Sequence, residues 1–145
     1  MHTSYNLERF IEAQEEDYAI ALREVRQGKK VNHWMWYIFP QIAGLGNSNT
    51  AKYFAIVDTI EAKLYLEHPI LGKRLAEICE ALLRIPHNSA HSIFGTPDDL
   101  KLLSCLTLFE TVESQHKDVL RNVIDKYYNG RRDSMTLQLL GNLNS

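Results

Sequence analysis

The sequence has few residues of the kinds that mark disulfide-rich, fibrous or loop-rich proteins. Of its 145 residues, 2 are cysteine, 7 are glycine and 4 are proline. Cys79 and Cys105 do not have the CxxC spacing of redox and metal sites, and two cysteines are too few for a disulfide scaffold. We expect both thiols to be buried and reduced, which places the protein in the cytoplasm. A disulfide between them is the alternative.

Long apolar runs and a large net charge are also absent. No stretch approaches the ~20 apolar residues of a membrane span, and the amino-terminal residues lack the apolar core of a signal peptide. The net charge of -2 gives no general electrostatic reason to bind nucleic acid or an anionic membrane. The basic pairs at 29–30 and 131–132 are typical of solvated faces. We therefore expect neither nucleic acid nor a membrane as a partner.

What the chain does have is apolar residues at helical spacing. Hydrophobic residues make up 45% of it, and a first stripe from Asn6 to Gln27 ends before Gly28, a typical C-terminal cap. Further stripes with start and stop signals predict helices at about 51–57, 58–67, 69–85, 96–113, 116–129 and 133–140. The run Tyr53 to Val57 is also compatible with a strand. We expect one compact domain over 1–145, all-α or mainly α, with room for one short strand or extended segment.

Two helix starts carry capping signals. Asp58 followed by Glu61 resembles a capping box, with aspartate in the capping role. Thr96 precedes Asp98 and Asp99, two acids in a first helical turn, where they complement the helix dipole. We expect Thr96 to cap this helix by accepting a hydrogen bond from a free backbone N–H group.

The densest chemical signal is HWMWYIFPQ, which runs from His33 to Gln41 and holds both tryptophans. Trp, Tyr and His combine an apolar body with a polar tip that needs a partner when buried. Trp34, Trp36 and Phe39 are most economically core residues. A ring face left open beside His33 and Gln41 would instead be a stacking platform for a planar ligand, with the imidazole and carboxamide contacting its polar edge.

The residues after the tryptophans indicate a break in the helical pattern. Pro40 disfavours helix at the preceding position, so the aromatic segment is either extended or a short broken turn. Gly44 and Gly46 superficially resemble a glycine loop that holds an anion at the start of a helix. The pattern is neither a Walker loop nor a complete GxGxxG motif, so a simple turn is the default interpretation.

A metal site has little support in the sequence. His87 and His91 have the spacing of a helical metal-binding pair, but they lie in a stretch rich in proline and asparagine and have no third ligand. We expect no metal and no cofactor.

Several segments together resemble a bacterial family of unknown function. They are FIEAQ (10–14), HWMWYIFPQIAGLGNS (33–48), EAKLYLEHPILGKRL (61–75), IFGTPDDLKLLSCLTLF (93–109) and DSMTLQLL (133–140). Members usually read HWMWFIFPQ and SSMTLF at the matching places; this chain differs at Tyr37, where the family has Phe, and at Cys105, where it has Ser. The resemblance implies a mainly helical single domain. Some members carry the label calpastatin, but that inhibitor is a disordered chain and this composition buries a core.

Three functional hypotheses follow. In the first, the aromatic segment and the segment from Phe94 to Ser104 form a pocket for a planar, nucleotide-like ligand. The candidate ligand-binding residues are His33, Trp34, Trp36, Gln41, Lys101 and Ser104. If the protein is an enzyme, metal-independent hydrolysis of an N-glycosidic bond fits best, with Asp98 and Asp99 as candidate catalytic residues. These adjacent residues point about 100° apart, so only one is expected to face the ligand.

In the second hypothesis, the same aromatic residues form a hot-spot patch for another protein or for a second copy in a homodimer. In the third, they are entirely core, and the working surface lies elsewhere.

Overall fold

The structure, a computed structural model, describes residues 5–143, and its helices confirm the predicted all-α class. The helices are α1 Glu8–Gln27, α2 Met35–Ile38, α3 Asn49–Tyr53, α4 Thr59–Glu67, α5 Leu71–Leu83, α6 Ala90–Phe94, α7 Asp98–Glu110, α8 Lys117–Tyr128 and α9 Ser134–Leu143. Over 5–143 no sheet forms; one isolated parallel bridge pairs Ile42 with Ile56. None of the helices described is long and apolar enough to cross a bilayer.

The first helix is the one that the first apolar stripe predicts. It ends at Gln27, and Gly28 takes up the left-handed conformation with φ 80°. The N–H of Gly28 donates to the carbonyl of Val25 at 2.9 Å, which closes the helix end. The buried face of α1 includes Phe10, Gln14, Ala21, Leu22, Glu24 and Val25.

The core is built around α5 and α7. Both α1 and α4 pack on α5, and α8 packs on both α5 and α7. Helix α7 is buried on most sides, since six consecutive residues from Ser104 to Phe109 are buried. Cys79 on α5 and Cys105 on α7 are free and buried, and burial raises the pKa of both thiols. The expectation that both cysteines are buried is confirmed.

The predicted Asp58 cap is confirmed, and Asp133 caps the start of α9 in the same way. The Asp58 carboxylate accepts a hydrogen bond from the N–H of Glu61 at 2.8 Å, and Asp133 accepts one from the N–H of Thr136 at 3.0 Å.

The capping role assigned to Thr96 is wrong. Its hydroxyl lies 3.2 Å from a carboxylate oxygen of Asp99, to which it donates. The residue at the N-cap of α7 is Pro97, which has no side-chain acceptor, and the Asp99 carboxylate accepts from the N–H of Leu100 at 2.9 Å. A backbone carbonyl replaces the expected threonine cap, because the N–H of Asp99, in the first turn of α7, donates to the carbonyl of Gly95 at 2.9 Å.

The short elements differ most from the prediction. The aromatic segment is the broken turn, with α2 ending at Ile38 just before Phe39 and Pro40. Helix α3 is capped by Ser48 and stops at Tyr53, after which Ile56 enters the bridge. Helix α6 forms where a loop was expected, α7 ends at residue 110 instead of 113, and α9 extends to 143 instead of 140. These boundaries move by a turn or less, as is usual at helix ends.

Candidate functional site

The aromatic segment divides between the core and a cleft. Trp34 is 1% exposed and Phe39 is fully buried. Both rings pack edge-on against Phe94, with centroid distances of 6.3 and 6.0 Å. Trp36 is half-buried and lines the cleft. Two of the three large aromatics are therefore core residues, and Trp36 is the one with an accessible surface.

The start of the segment is fixed by Glu24, a buried carboxylate on α1. It accepts hydrogen bonds from the N–H groups of Val31 (2.8 Å) and Asn32 (3.0 Å) and from the indole Nε1 of Trp34 (2.9 Å). The side chain of Asn32 also donates to it. Burial alone would raise the pKa of Glu24, but these donors outweigh it and lower the pKa to about 2. The carboxylate thus holds Trp34 against α1.

A second polar contact from α1 fixes α2. The Nε2 of Gln14, which is 1% exposed, donates to the carbonyl of Tyr37 at 2.7 Å and to the hydroxyl of Tyr65 at 3.0 Å. The Tyr37 hydroxyl donates to the carboxylate of Asp17. Burial, followed by this carboxylate, raises the pKa of Tyr37. Helix α2 is therefore held against α1 at Trp34, which precedes it, and at Tyr37, near its last residue.

The chain that follows α3 is held by a buried ion pair. Arg9 and Glu61 approach to 2.9 Å with side chains 7% and 2% exposed. Arg9 also donates to the carbonyls of Tyr53 and Ala55, each at 2.8 Å. Glu61 accepts from the N–H of Val57 at 2.9 Å. One charged pair therefore orders the segment 53–57.

Between these two fixed segments lies a cavity of about 150 Å³, which we call the Gln41 cleft. The isolated bridge joins the two segments beside it, since Ile56 donates to the carbonyl of Gln41 at 2.8 Å and accepts from Ala43 at 2.9 Å. The lining residues are mainly apolar: Trp36, Gln41, Ile42, Ala43, Gly44, Leu45, Gly46, Ala51, Lys52, Phe54, Ala55 and Val57.

Gln41 is the one described residue with a buried side-chain polar atom that lacks a hydrogen-bond partner. It is 9% exposed, and its Nε2 is buried without a hydrogen-bond partner. A buried polar group in that state costs about 1–3 kcal/mol. Gln14, by comparison, has partners for its amide nitrogen. The carboxamide of Gln41 is thus available to a molecule that enters the cleft.

The glycines of the cleft permit a close approach of backbone and ring. A Cβ atom on Gly46 would lie 2.6 Å from the Cβ of Ala51 and 3.7 Å from the ring of Trp36. Gly44 has φ 105°, and a Cβ there would lie 3.2 Å from Leu139 of α9. The glycines therefore lie in a turn, which is the default interpretation, and this turn packs between Trp36 and α9.

On the other side of the tryptophans lies a cluster of alternating charges. The Lys101 ammonium lies 4.0 Å from the ring centroid of Trp36 and 3.4 Å from one oxygen of Asp98. The other oxygen of Asp98 lies 2.9 Å from Lys30, whose ammonium is 5.1 Å from the ring centroid of Trp34. Asp98 thus forms ion pairs with two lysines, and the ammonium group of each lysine lies over a tryptophan ring. These contacts join α7 to the aromatic segment.

The remaining predicted site residues lie away from the cleft lining. Asp99 contacts the hydroxyl of Thr96, and His91 approaches its carboxylate to 3.7 Å. Ser104 is buried and donates to the Leu100 carbonyl at 3.1 Å and to an oxygen of Asp133 at 3.2 Å.

His33 is exposed, and its carbonyl is 3.3 Å from the Tyr37 hydroxyl. The structure therefore brings Trp36 and Gln41 together in the cleft lining. Lys101 contacts Trp36 from outside the lining and pairs with Asp98. The other predicted site residues lie outside the lining: His33, Trp34, Asp99 and Ser104.

The sequence did not point to several lining residues. Lys52, Phe54 and Val57 line the cleft, yet they lie in a run predicted only as a helix or a strand. No group of three metal-ligating side chains occurs in the part of the chain that the structure describes.

The chain resembles known proteins whose function is also unknown. The family model described as a protein of unknown function (DUF1810) matches residues 4–140. The fold is similar to the crystal structure of the conserved hypothetical protein Rv1873 from Mycobacterium tuberculosis, with a TM-score of 0.91 and 40% identity. That match covers 94% of this chain and 97% of the other. No curated protein matches the sequence.

Proposed function

We propose that this chain, which belongs to the DUF1810 family of unknown function, binds a planar small molecule in the Gln41 cleft. The observation that carries the proposal is the buried Nε2 of Gln41, which has no partner in the described residues. Buried polar groups are nearly always hydrogen-bonded, and an exception calls for an explanation. A ligand that offers an acceptor to the carboxamide supplies it.

The shape and chemistry of the cleft favour an aromatic ring. A cavity of about 150 Å³ accepts one small aromatic molecule. Trp36 and Phe54 supply apolar walls, and a carboxamide can pair with the donor–acceptor edge of a heterocycle. A nucleobase or the base of a nucleotide combines both properties. The two free thiols fit a reducing compartment such as the cytoplasm.

If the Gln41 cleft is catalytic, the reaction we propose for it is hydrolysis of an N-glycosidic bond. Asp98 is the better placed of the two candidate acids, because Lys101 links it to Trp36. Asp99 contacts Thr96. Neither acid is among the residues that line the cleft. Binding therefore has more support than catalysis.

An interface formed by the aromatic segment is the alternative. It has less support, because Trp34 and Phe39 are buried, Trp36 and Tyr37 are half-buried, and His33 is the one exposed ring of the segment. A protein partner or a second copy would find a small part of the segment at the surface.

A thermal-shift screen with nucleobases, nucleosides, nucleotides and ADP-ribose tests the proposal. A ligand at about 100 times its Kd stabilises the fold by ~2.7 kcal/mol, or about 5–10 °C in Tm for a chain of this size. The Tm shift should vanish in Gln41→Leu. It should persist in Gln115→Leu, which changes an exposed glutamine in the loop after α7. No shift with any compound, or an equal shift in Gln41→Leu, would overturn the proposal.

A further inference from the structure

The Gln41 cleft has one charged lining residue, Lys52. No acidic side chain is among its lining residues. Lys52 is exposed and takes part in no ion pair with any described residue. The cleft therefore combines an apolar, ring-sized space with an ammonium group that no carboxylate neutralises.

Backbone donors lie on the same cleft. The N–H groups of Gly44 and Gly46 donate to no acceptor in residues 5–143. The N–H of Ala43 is used in the bridge to Ile56, and that of Leu45 closes the turn at 43–44. Leu45 and Gly46 are half-buried. Unpaired backbone N–H groups of a turn form a concave site for an anion.

These donors differ in kind from the carboxamide of Gln41, which is neutral and can pair with a heterocycle. Two N–H groups and one ammonium make three donors, which match a phosphate, with its three terminal oxygens, better than a carboxylate, with two. The unpartnered Nε2 of Gln41 in the same cleft independently indicates that a ligand enters.

We propose that the Gly44–Gly46 turn and Lys52 bind a phosphate group carried by the planar ligand whose ring contacts Gln41 and Trp36. This inference rests on the proposed function, and it narrows the ligand class from a nucleobase-like ring to a nucleotide. In this assignment the turn and Lys52 select ligands that carry a phosphate, and the carboxamide of Gln41 contacts the ring of the ligand.

Titration calorimetry of the full chain with adenine, adenosine and adenosine 5′-monophosphate separates the two contributions. Adenine is the appropriate base because a glutamine carboxamide can pair with its adjacent donor and acceptor. Adding the phosphate should tighten binding about tenfold, as expected for charge-assisted hydrogen bonds. Raising the salt concentration should reduce that gain.

Lys52→Gln should remove most of the gain from the phosphate and leave the affinity for adenosine unchanged. Lys63→Gln, at an exposed lysine of α4 outside the cleft lining, should bind all three compounds like the parent protein. Inorganic phosphate alone should compete with the monophosphate and not with adenine.

The outcomes distinguish this inference from the proposed function. If adenine and adenosine bind but the phosphate adds nothing, or Lys52→Gln leaves the gain intact, the phosphate assignment is wrong and the ring site stands. If none of the three compounds binds, both the phosphate site and the nucleotide-like ligand are overturned.

Discussion

Glu24 should be one of the most costly single positions to neutralise, although it takes no part in the cleft. Its folded-state pKa is about 2, against an ordinary value of 4.5. Each pKa unit corresponds to about 1.4 kcal/mol, so the ionised carboxylate stabilises the fold by about 3 kcal/mol at pH 7. The Glu24→Gln variant keeps the size of the side chain but turns one acceptor into a donor that faces other donors. We expect it to lose about 3 kcal/mol and about 6–12 °C in Tm.

The pH dependence has a definite sign. Because folding lowers the pKa of Glu24, its contribution is fully present above about pH 4.5 and is lost as the pH falls toward about 2. Urea unfolding followed by tryptophan fluorescence, at pH 7 and pH 3, should therefore show a difference between wild type and Glu24→Gln that shrinks at the lower pH. The matched control is Glu16→Gln, an exposed acid on the same helix, which should change stability by less than about 0.5 kcal/mol. A loss below about 1 kcal/mol at pH 7, or an equal loss at both pH values, would refute the reasoning.

The tryptophans and the helix starts give two further predictions, both measured by urea unfolding. Trp34→Ala should cost about 3–5 kcal/mol because the ring is buried, and Trp36→Ala should cost clearly less because its ring is half-buried; equal losses would contradict the division between core and cleft. Asp58→Ala should cost about 1 kcal/mol by removing a helix cap. Thr96→Ala should cost less than about 0.5 kcal/mol because its hydroxyl bonds a carboxylate instead of a backbone N–H, and a larger loss than at Asp58 would reverse the assignment.

The sequence predicts the long helices well because their apolar spacing is repeated over several turns. Helices α1, α5 and α8 each bury one face and show the expected period. Helix α6 has five residues and α2 has four, too few for a period to be read. Thr96 is misassigned for a similar local reason: a backbone carbonyl, which no residue type reveals, takes the N–H that it was expected to cap.

The site is predicted only in part because its walls meet through contacts distant in sequence. Trp36 and Gln41 stand out as residue types in one segment. Lys52 and Val57 line the same cleft because the bridge pairs Ile42 with Ile56. No periodic pattern in the sequence predicts that pairing. Glu24 is likewise missed, since its four donors all come from the segment after α1.

The central claim is that the carboxamide of Gln41 binds a ligand and does not stabilise the fold. A comparison with Gln14 tests this claim. Both are buried glutamines, at 9% and 1% exposure. The Nε2 of Gln14 has two acceptors, while that of Gln41 has no partner in the described chain. Replacing a satisfied buried group strands its partners and costs about 1–3 kcal/mol, whereas replacing an unsatisfied one by an apolar group of similar shape is neutral or stabilising.

The free energy of unfolding of Gln41→Leu, measured by urea titration beside wild type and Gln14→Leu, is therefore the most direct test. We predict that Gln41→Leu equals or exceeds wild type in stability, while Gln14→Leu loses about 1–3 kcal/mol. A loss in Gln41→Leu as large as that in Gln14→Leu would show that the carboxamide supports the fold, and it would contradict the claim that the residue is retained for a ligand.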